Sequence, residues 1–189
     1  MLDLDTLSKI VTEKMGNSRE LESTTINNAL INSANDLISE FKQNVLIVNY
    51  KTSEDKKVIK IPNIAYIYEA RFDNITLPLY RLAQCSHDSK TKLIVLDSQS
   101  VRLEPFKVGE LEILGSFFIS KDAKEIPLSP MYQRALLQGA TLDLFILLDK
   151  PLEHIKSAKM ILNELKDELR SQINRASEKN AISTKPIRI

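Results

Sequence analysis

The feature that most constrains this chain is that its apolar residues change period twice. From Ile26 through Ala29, Leu30, Leu37, Ile38 and Phe41 to Val45 they recur in steps of three and four, with Ser33 in the same stripe. That spacing predicts a helix opened by Ser23 or Thr24. At Val45 the pattern becomes continuous and β-branched through Val48. Further short runs follow at Val58, Ile59 and Ile61, then at 64–71, 79–83, 92–96, 101–104 and 110–119. These runs read as strands. Turn residues separate them: Ser53 to Lys57, Asp73-Asn74, the loop 84–90, 97–100 and 107–109. Val101 and Leu103 alternate with Arg102 and Glu104, and Leu111 and Ile113 with Glu110 and Glu112, so one face of this antiparallel meander is expected to be wet.

Helical spacing returns at Ser129-Pro130, an N-cap residue followed by proline at the first helical position, where a missing N–H costs nothing. This helix is predicted to reach about Leu148. Asp149-Lys150-Pro151 then breaks the chain, and Leu152, Ile155, Ala158, Ile161 or Leu162, Leu165, Leu169 and Ile173 mark a long amphipathic helix that completes an αα-hairpin. At the other end, Leu4, Leu7, Ile10 and Val11 predict a short helix with Asp3 or Asp5 as N-cap and Gly16 as its stop. The expected fold class is α+β. Residues 1–44 and 128–178 form a helical bundle, 45–127 an antiparallel β-rich insert, and 179–189 an extended tail.

The totals narrow the function. A formal charge of +1 gives no field able to hold a polyanion or a membrane surface by itself, although it divides as −3, +1 and +3 over residues 1–44, 45–127 and 128–189. That mild polarity suits subunits stacked or ringed in one direction. One cysteine, Cys85, cannot form an internal disulfide, and the start of the chain carries no basic and apolar leader pattern. Synthesis in a reducing cytoplasm is therefore expected. The longest apolar cluster, Leu144 to Leu148, is far too short to span a bilayer.

Catalytic chemistry finds little to stand on. His87 and His154 fall in different elements, and Cys85-Ser86-His87-Asp88 are too close in sequence to orient one another as a triad does. Zinc needs further ligands at set spacing, and none follow. The glycines at 16, 109, 115 and 139 make neither phosphate-cradling motif. Glu164, Asp167 and Glu168 among Lys166 and Arg170 read as a solvated helix face. No catalytic residue, cofactor or metal is expected.

Apolar surface is what asks for explanation. Leu142 and Leu144 to Leu148 wrap nearly the whole circumference of the third helix, so either this half-helix is central to the domain or a neighbouring subunit covers it. Gly139-Ala140 would let another helix approach closely. Tyr132, Leu136, Gly139, Leu144, Phe145 and Leu148 are the candidate subunit-interface residues. In the tail, Ile182, Ile187 and Ile189 with Lys179, Lys185, Pro186 and Arg188 could add as a strand to a partner, or be a frayed terminus.

This order of elements, with Ile126-Pro127-Leu128-Ser129-Pro130-Met131-Tyr132 leading into an Ala/Leu helix, resembles the head-to-tail connector or adaptor proteins of tailed bacteriophages, closest to the upper tail-tube adaptors of short-tailed phages. Tyr132, Ala135, Leu136, Gly139 and Ala140 fit the family's helix-start pattern. Residues 26–32, Ile-Asn-Asn-Ala-Leu-Ile-Asn, look like its N-terminal pair. The resemblance implies a virion protein of the neck or tail, made in the host cytoplasm, which forms a homo-oligomeric ring, usually twelvefold, under the portal. Portal and tail or nozzle proteins would be its partners, and DNA would pass through without sequence-specific binding. Ile182, Lys185, Pro186, Ile187, Arg188 and Ile189 become portal-binding candidates, and the third and fourth helices ring-forming ones. Rival readings are a neck stopper or tail-completion protein, a cytoplasmic binding module that dimerises through its helices, and, more remotely, a hydrolase using Cys85 or His87.

Overall fold

The change of period at Val45 coincides with a tight turn in the computed structural model, which describes residues 1–16, 21–81 and 90–183. In chain order the elements are β1 (Leu2–Asp3), α1 (Leu4–Lys14), α2 (Ser23–Phe41), β2 (Val45–Lys51), β3 (Val58–Lys60), β4 (Ile64–Phe72) and β5 (Ile75–Thr76). There follow β6 (Leu79–Arg81), β7 (Lys92–Asp97), β8 (Ser100–Glu104), β9 (Glu110–Phe117), β10 (Glu125–Ile126), a 3-10 turn (Pro130–Tyr132), α3 (Gln133–Leu147) and α4 (Leu152–Ser183). The chain is thus α+β, and its residues fall into two units, 1–34 with 121 onward, and Asn35–Ser120.

In the helical unit, α3 packs against α1 and α4. Asp3 caps α1 by accepting from the Thr6 backbone N–H at 2.8 Å, and Gly16, at φ 76°, takes the left-handed conformation after its end. The helix supplies Leu4, Leu7 and Val11 to the core. β1 pairs with β10 through Leu2 and Ile126, both buried. α3 turns Ala135, Leu136, Ala140 and Leu144 inward, and α4 turns in Ala158, Leu165 and Leu169. Gly139 marks the closest approach in this unit. A Cβ there would collide with Ser33 Oγ of α2, which donates to the Leu136 carbonyl at 3.0 Å. The small residue is therefore required by α2 of the same chain.

The β unit consists of two four-stranded sheets, ordered β2-β9-β4-β5 and β3-β8-β7-β6. They share one apolar core, with Ile61, Leu93, Val101, Leu111 and Ile113 at its centre. β9 pairs with β2 on one side and with β4 on the other. Two bulges interrupt β4, between Ile64 and Tyr66 and between Ile67 and Glu69. They bring the Tyr66 carbonyl within 2.7 Å of where a side chain on Gly115 would begin, so only glycine fits there. Asp73 and Asn74, both at positive φ, form a two-residue hairpin turn into β5.

The last turns of α2 belong to this β unit, whereas the periods place the division at Val45. Asn35 explains the difference. Its side chain accepts from the Ile119 backbone N–H at 2.8 Å and donates to the Ile119 carbonyl at 3.3 Å, acting as a strand partner just past the end of β9. The turn into β2 is fixed in the same way. Asn44 donates to Phe117 O at 2.7 Å, Tyr68 Oη donates to Lys42 O at 2.7 Å, and Ser116 Oγ donates to Gln43 O.

Several sequence expectations need correction. The β region is not wholly antiparallel, because β6 runs parallel to β7. Side-chain alternation reports faces and carries no strand direction. α2 does begin at Ser23, but the Thr25 and Ile26 N–H groups bond to Glu22 O, so the cap position is Glu22 and not a hydroxyl residue. The Ser129 hydroxyl makes no cap bond, and the chain enters α3 through the 3-10 turn. The tail expected from residue 179 begins later, since α4 continues to Ser183. Residues 176–183 carry no apolar stripe, but neither Gly nor Pro interrupts them, and Ala, Glu and Lys propagate a helix already formed.

Replacing Gly139 by Ala should lower unfolding free energy by roughly 1–3 kcal/mol, because the added methyl must displace α2. Combining it with Ser33→Ala, which removes the colliding hydroxyl, should recover part of the loss. Denaturant titration of the double-mutant cycle measures this, and strictly additive costs would refute the contact.

Candidate interaction surfaces

The αα-hairpin is closed by backbone geometry. Asp149 takes φ 48°, its N–H bonds to Ile146 O at 3.2 Å, and the Lys150 N–H bonds to Phe145 O at 3.0 Å. These two bonds and a left-handed residue make a Schellman stop, and Pro151 prevents the helix from resuming early. α3 thus ends with its last turn fixed in place. Of the apolar cluster on that turn, Leu144 is buried, Leu142, Phe145 and Leu148 are half-buried, and Ile146 and Leu147 stand 57% and 64% exposed. Leu152, just across the turn, is 63% exposed. The helix is central on one side and left uncovered by its own chain on the other.

This distribution revises the expected interface. Tyr132, Leu136, Gly139 and Leu144 are buried within the chain and present nothing to another molecule. Burial also pushes the Tyr132 hydroxyl above its ordinary pKa. Phe145 and Leu148 are only half-buried, and Phe145 has the His154 ring 6.3 Å away. On α3 and α4 the large apolar side chains that face outward include Ile146, Leu147, Leu152, Met160 and Ile161. Sequence periodicity could not select Ile146 and Leu147, because every face of the turn that carries them is apolar. Of the tail candidates, Ile182 falls in the last turn of α4, and Lys185, Pro186, Ile187, Arg188 and Ile189 lie outside the described residues.

A polar chain ties the helical unit together. Lys14 Nζ donates to Gln138 Oε1 at 2.8 Å, and Gln138 Nε2 donates to the Ala158 carbonyl at 3.1 Å, joining α1, α3 and α4. Partial desolvation lowers the Lys14 pKa. With its amide engaged at both ends, Gln138 is a positioning group for the three helices.

The second surface is the edge strand β2. It pairs with β9 without interruption from Val45 to Lys51 and has no strand on its other side among the described residues. Val48 and Tyr50 pack on the β core, whereas Val45, Leu46 and Ile47 are 49%, 47% and 61% exposed. Edge strands are ordinarily protected by charge, proline or a bulge. The first six residues of β2 carry none of these.

The β unit also holds a cleft of about 730 Å³ lined by Ile64, Tyr66, Tyr80, Arg81, Asp97 and Phe118 among others. Its walls are mainly apolar, and the Asp97 carboxylate is engaged by the Gln99 N–H at 2.7 Å. Among the described residues no group of His, Cys, Asp and Glu is arranged to hold a metal ion, and no helix is long and apolar enough to cross a membrane. His154 is exposed on α4, and Cys85, Ser86, His87 and Asp88 lie outside the described residues.

Compared with known proteins, the chain matches no family model, and no curated protein is similar enough to count as a relative.

Ile47→Lys should leave thermal stability within about 0.5 kcal/mol, since the side chain is largely in water already. It should also suppress concentration-dependent association through the β2 edge. Melting curves and light scattering check the two halves, and unchanged scattering would show that this edge is not sticky.

Proposed function

We propose that this protein is a virion structural subunit, a head-to-tail adaptor that assembles as a ring under the portal and connects it to the tail. The observation that carries the reading is the closed end of the αα-hairpin, where Ile146, Leu147 and Leu152 form an apolar surface that the chain's own fold leaves uncovered. Clustered apolar residues of this kind mark protein–protein contact. The resemblance set by Tyr132, Ala135, Leu136, Gly139 and Ala140 supports it from the sequence side. All five are buried, so the pattern describes how such a helix seats against its neighbours.

In this role the chain performs no chemistry. Helical surfaces join copies, the basic C-terminal residues reach the portal, and the β unit meets the tail or nozzle. A formal charge of +1 suits a conduit that lets DNA pass without gripping it. A competing reading is a regulatory module that holds a small ligand on its β unit, and it draws on the cleft beside Tyr66 and Tyr80.

Mixing the purified chain with the portal protein of its own phage should give ring-shaped complexes in electron microscopy. A chain lacking residues 184–189 keeps α4 whole and should fold normally but fail to join. Triple replacement of Ile146, Leu147 and Leu152 by Ser should weaken ring formation by at least about tenfold, with little change in melting temperature. Portal complexes that form equally well with both variants would remove the support for this function.

A further inference from the structure

α4 has 32 residues and its partner α3 has 15, so at about 1.5 Å per residue roughly half of α4 has no helix of the pair beside it. Its inward stripe is clear. Ala158, Leu165 and Leu169 are buried, and Ile155, Leu162 and Ile173 half-buried. At about 3.6 residues per turn, the positions to one side of that stripe are Leu152, Lys156, Lys159 and Asn163, and those to the other are Ile161, Glu164, Glu168 and Gln172. All eight side chains are exposed. Lys156 and Lys159, with Arg170 seven residues after Asn163, make one flank cationic, whereas Glu164 and Glu168 make the middle of the other flank anionic, between Ser157 and Arg175 on the same side.

The two sets match in register. Leu152 and Ile161, Lys159 and Glu168, and Asn163 and Gln172 are each nine residues apart, and Lys156 and Glu164 are eight apart. Nine residues make about two and a half turns, which is why the members of a pair sit on opposite flanks, and they span about 13 Å along the axis. Two parallel copies of α4 offset by that distance would place apolar on apolar, cation on anion twice and amide on amide, and would also bring Lys166 of one copy level with Arg175 of the next.

We propose that α4 is the seam between copies of this chain, the Lys156–Lys159 flank of one seated against the Glu164–Glu168 flank of the next. The proposal rests on the adaptor reading and names the surface by which its ring closes. A two-fold pairing of like flanks would set lysine against lysine or glutamate against glutamate, and like charges facing each other across an interface are strongly disfavoured. The head-to-tail pairing of unlike flanks is the kind that generates rings. Its offset means that α4 must incline to the ring axis, since helices parallel to that axis would meet level. Each exposed ion pair is individually weak, so Leu152 and Ile161 supply contact area while the charges set orientation and register. Within the chain these flanks are lightly occupied. Arg134 reaches Glu168 at 3.8 Å with side chains 80% and 60% exposed.

Reversing the charges tests the seam. Lys156→Glu with Lys159→Glu makes both flanks anionic, and Glu164→Lys with Glu168→Lys makes both cationic. Each variant alone should lose self-association at least about tenfold in sedimentation velocity at low salt, with circular dichroism unchanged. An equimolar mixture of the two should associate again, as should a chain carrying all four substitutions. Wild-type-like association by either variant alone, or a mixture no better than its components, overturns the seam while wild-type rings on portal leave the adaptor reading standing. A wild-type chain that stays single at every salt and protein concentration, with and without portal, overturns both.

Discussion

A short helix cannot cover a long one, and much of this structure follows from that mismatch. α3 gives Leu136, Ala140 and Leu144 to the core and ends at Leu147, while α4 continues from Leu152 to Ser183. Along the shared length both helices bury an apolar stripe, which offsets the cost of ordering them. Beyond Ile173 the described side chains of α4 are exposed. Such a helix gains by packing on another surface of its own length, which the proposed seam between copies would provide.

The β unit answers a different constraint, the need to satisfy backbone groups where a helix gives way to a strand. Asn35, Asn44, Ser116 and Tyr68 all bond main-chain atoms around that transition. Buried or half-buried main-chain groups left unpaired would be costly, so polar side chains stand in for missing strand partners. β9 is the strand on which this depends. Both of its neighbours, β2 and β4, pair along nearly its full length, and Gly115 lets β4 bulge without pushing the strands apart.

Much of this was legible in the sequence because periodicity reports faces. The stripe from Ile26 to Phe41, the β-branched runs from Val45, and the break at Asp149-Lys150-Pro151 all correspond to observed elements. What periodicity does not encode was not legible. The parallel β6–β7 pair depends on chain direction, two-residue strands such as β1 and β10 are too short to show a pattern, and the end of α4 rests on propensity without amphipathicity. The surface was hardest to read. In a turn apolar on every side, no spacing rule distinguishes buried Leu144 from exposed Leu147, because the choice depends on where the rest of the chain passes. Gly139 shows the same limit. Its smallness signalled a close helix, but only the structure names Ser33 of the same chain as the neighbour.

The Schellman closure at Asp149 carries one further implication. Because Ile146 and Leu147 sit on a turn locked by main-chain bonds from Asp149 and Lys150, their positions are set before any encounter. A molecule landing there meets a blunt, preorganised knob, and the conformational entropy that a flexible loop would forfeit on binding has already been surrendered during folding.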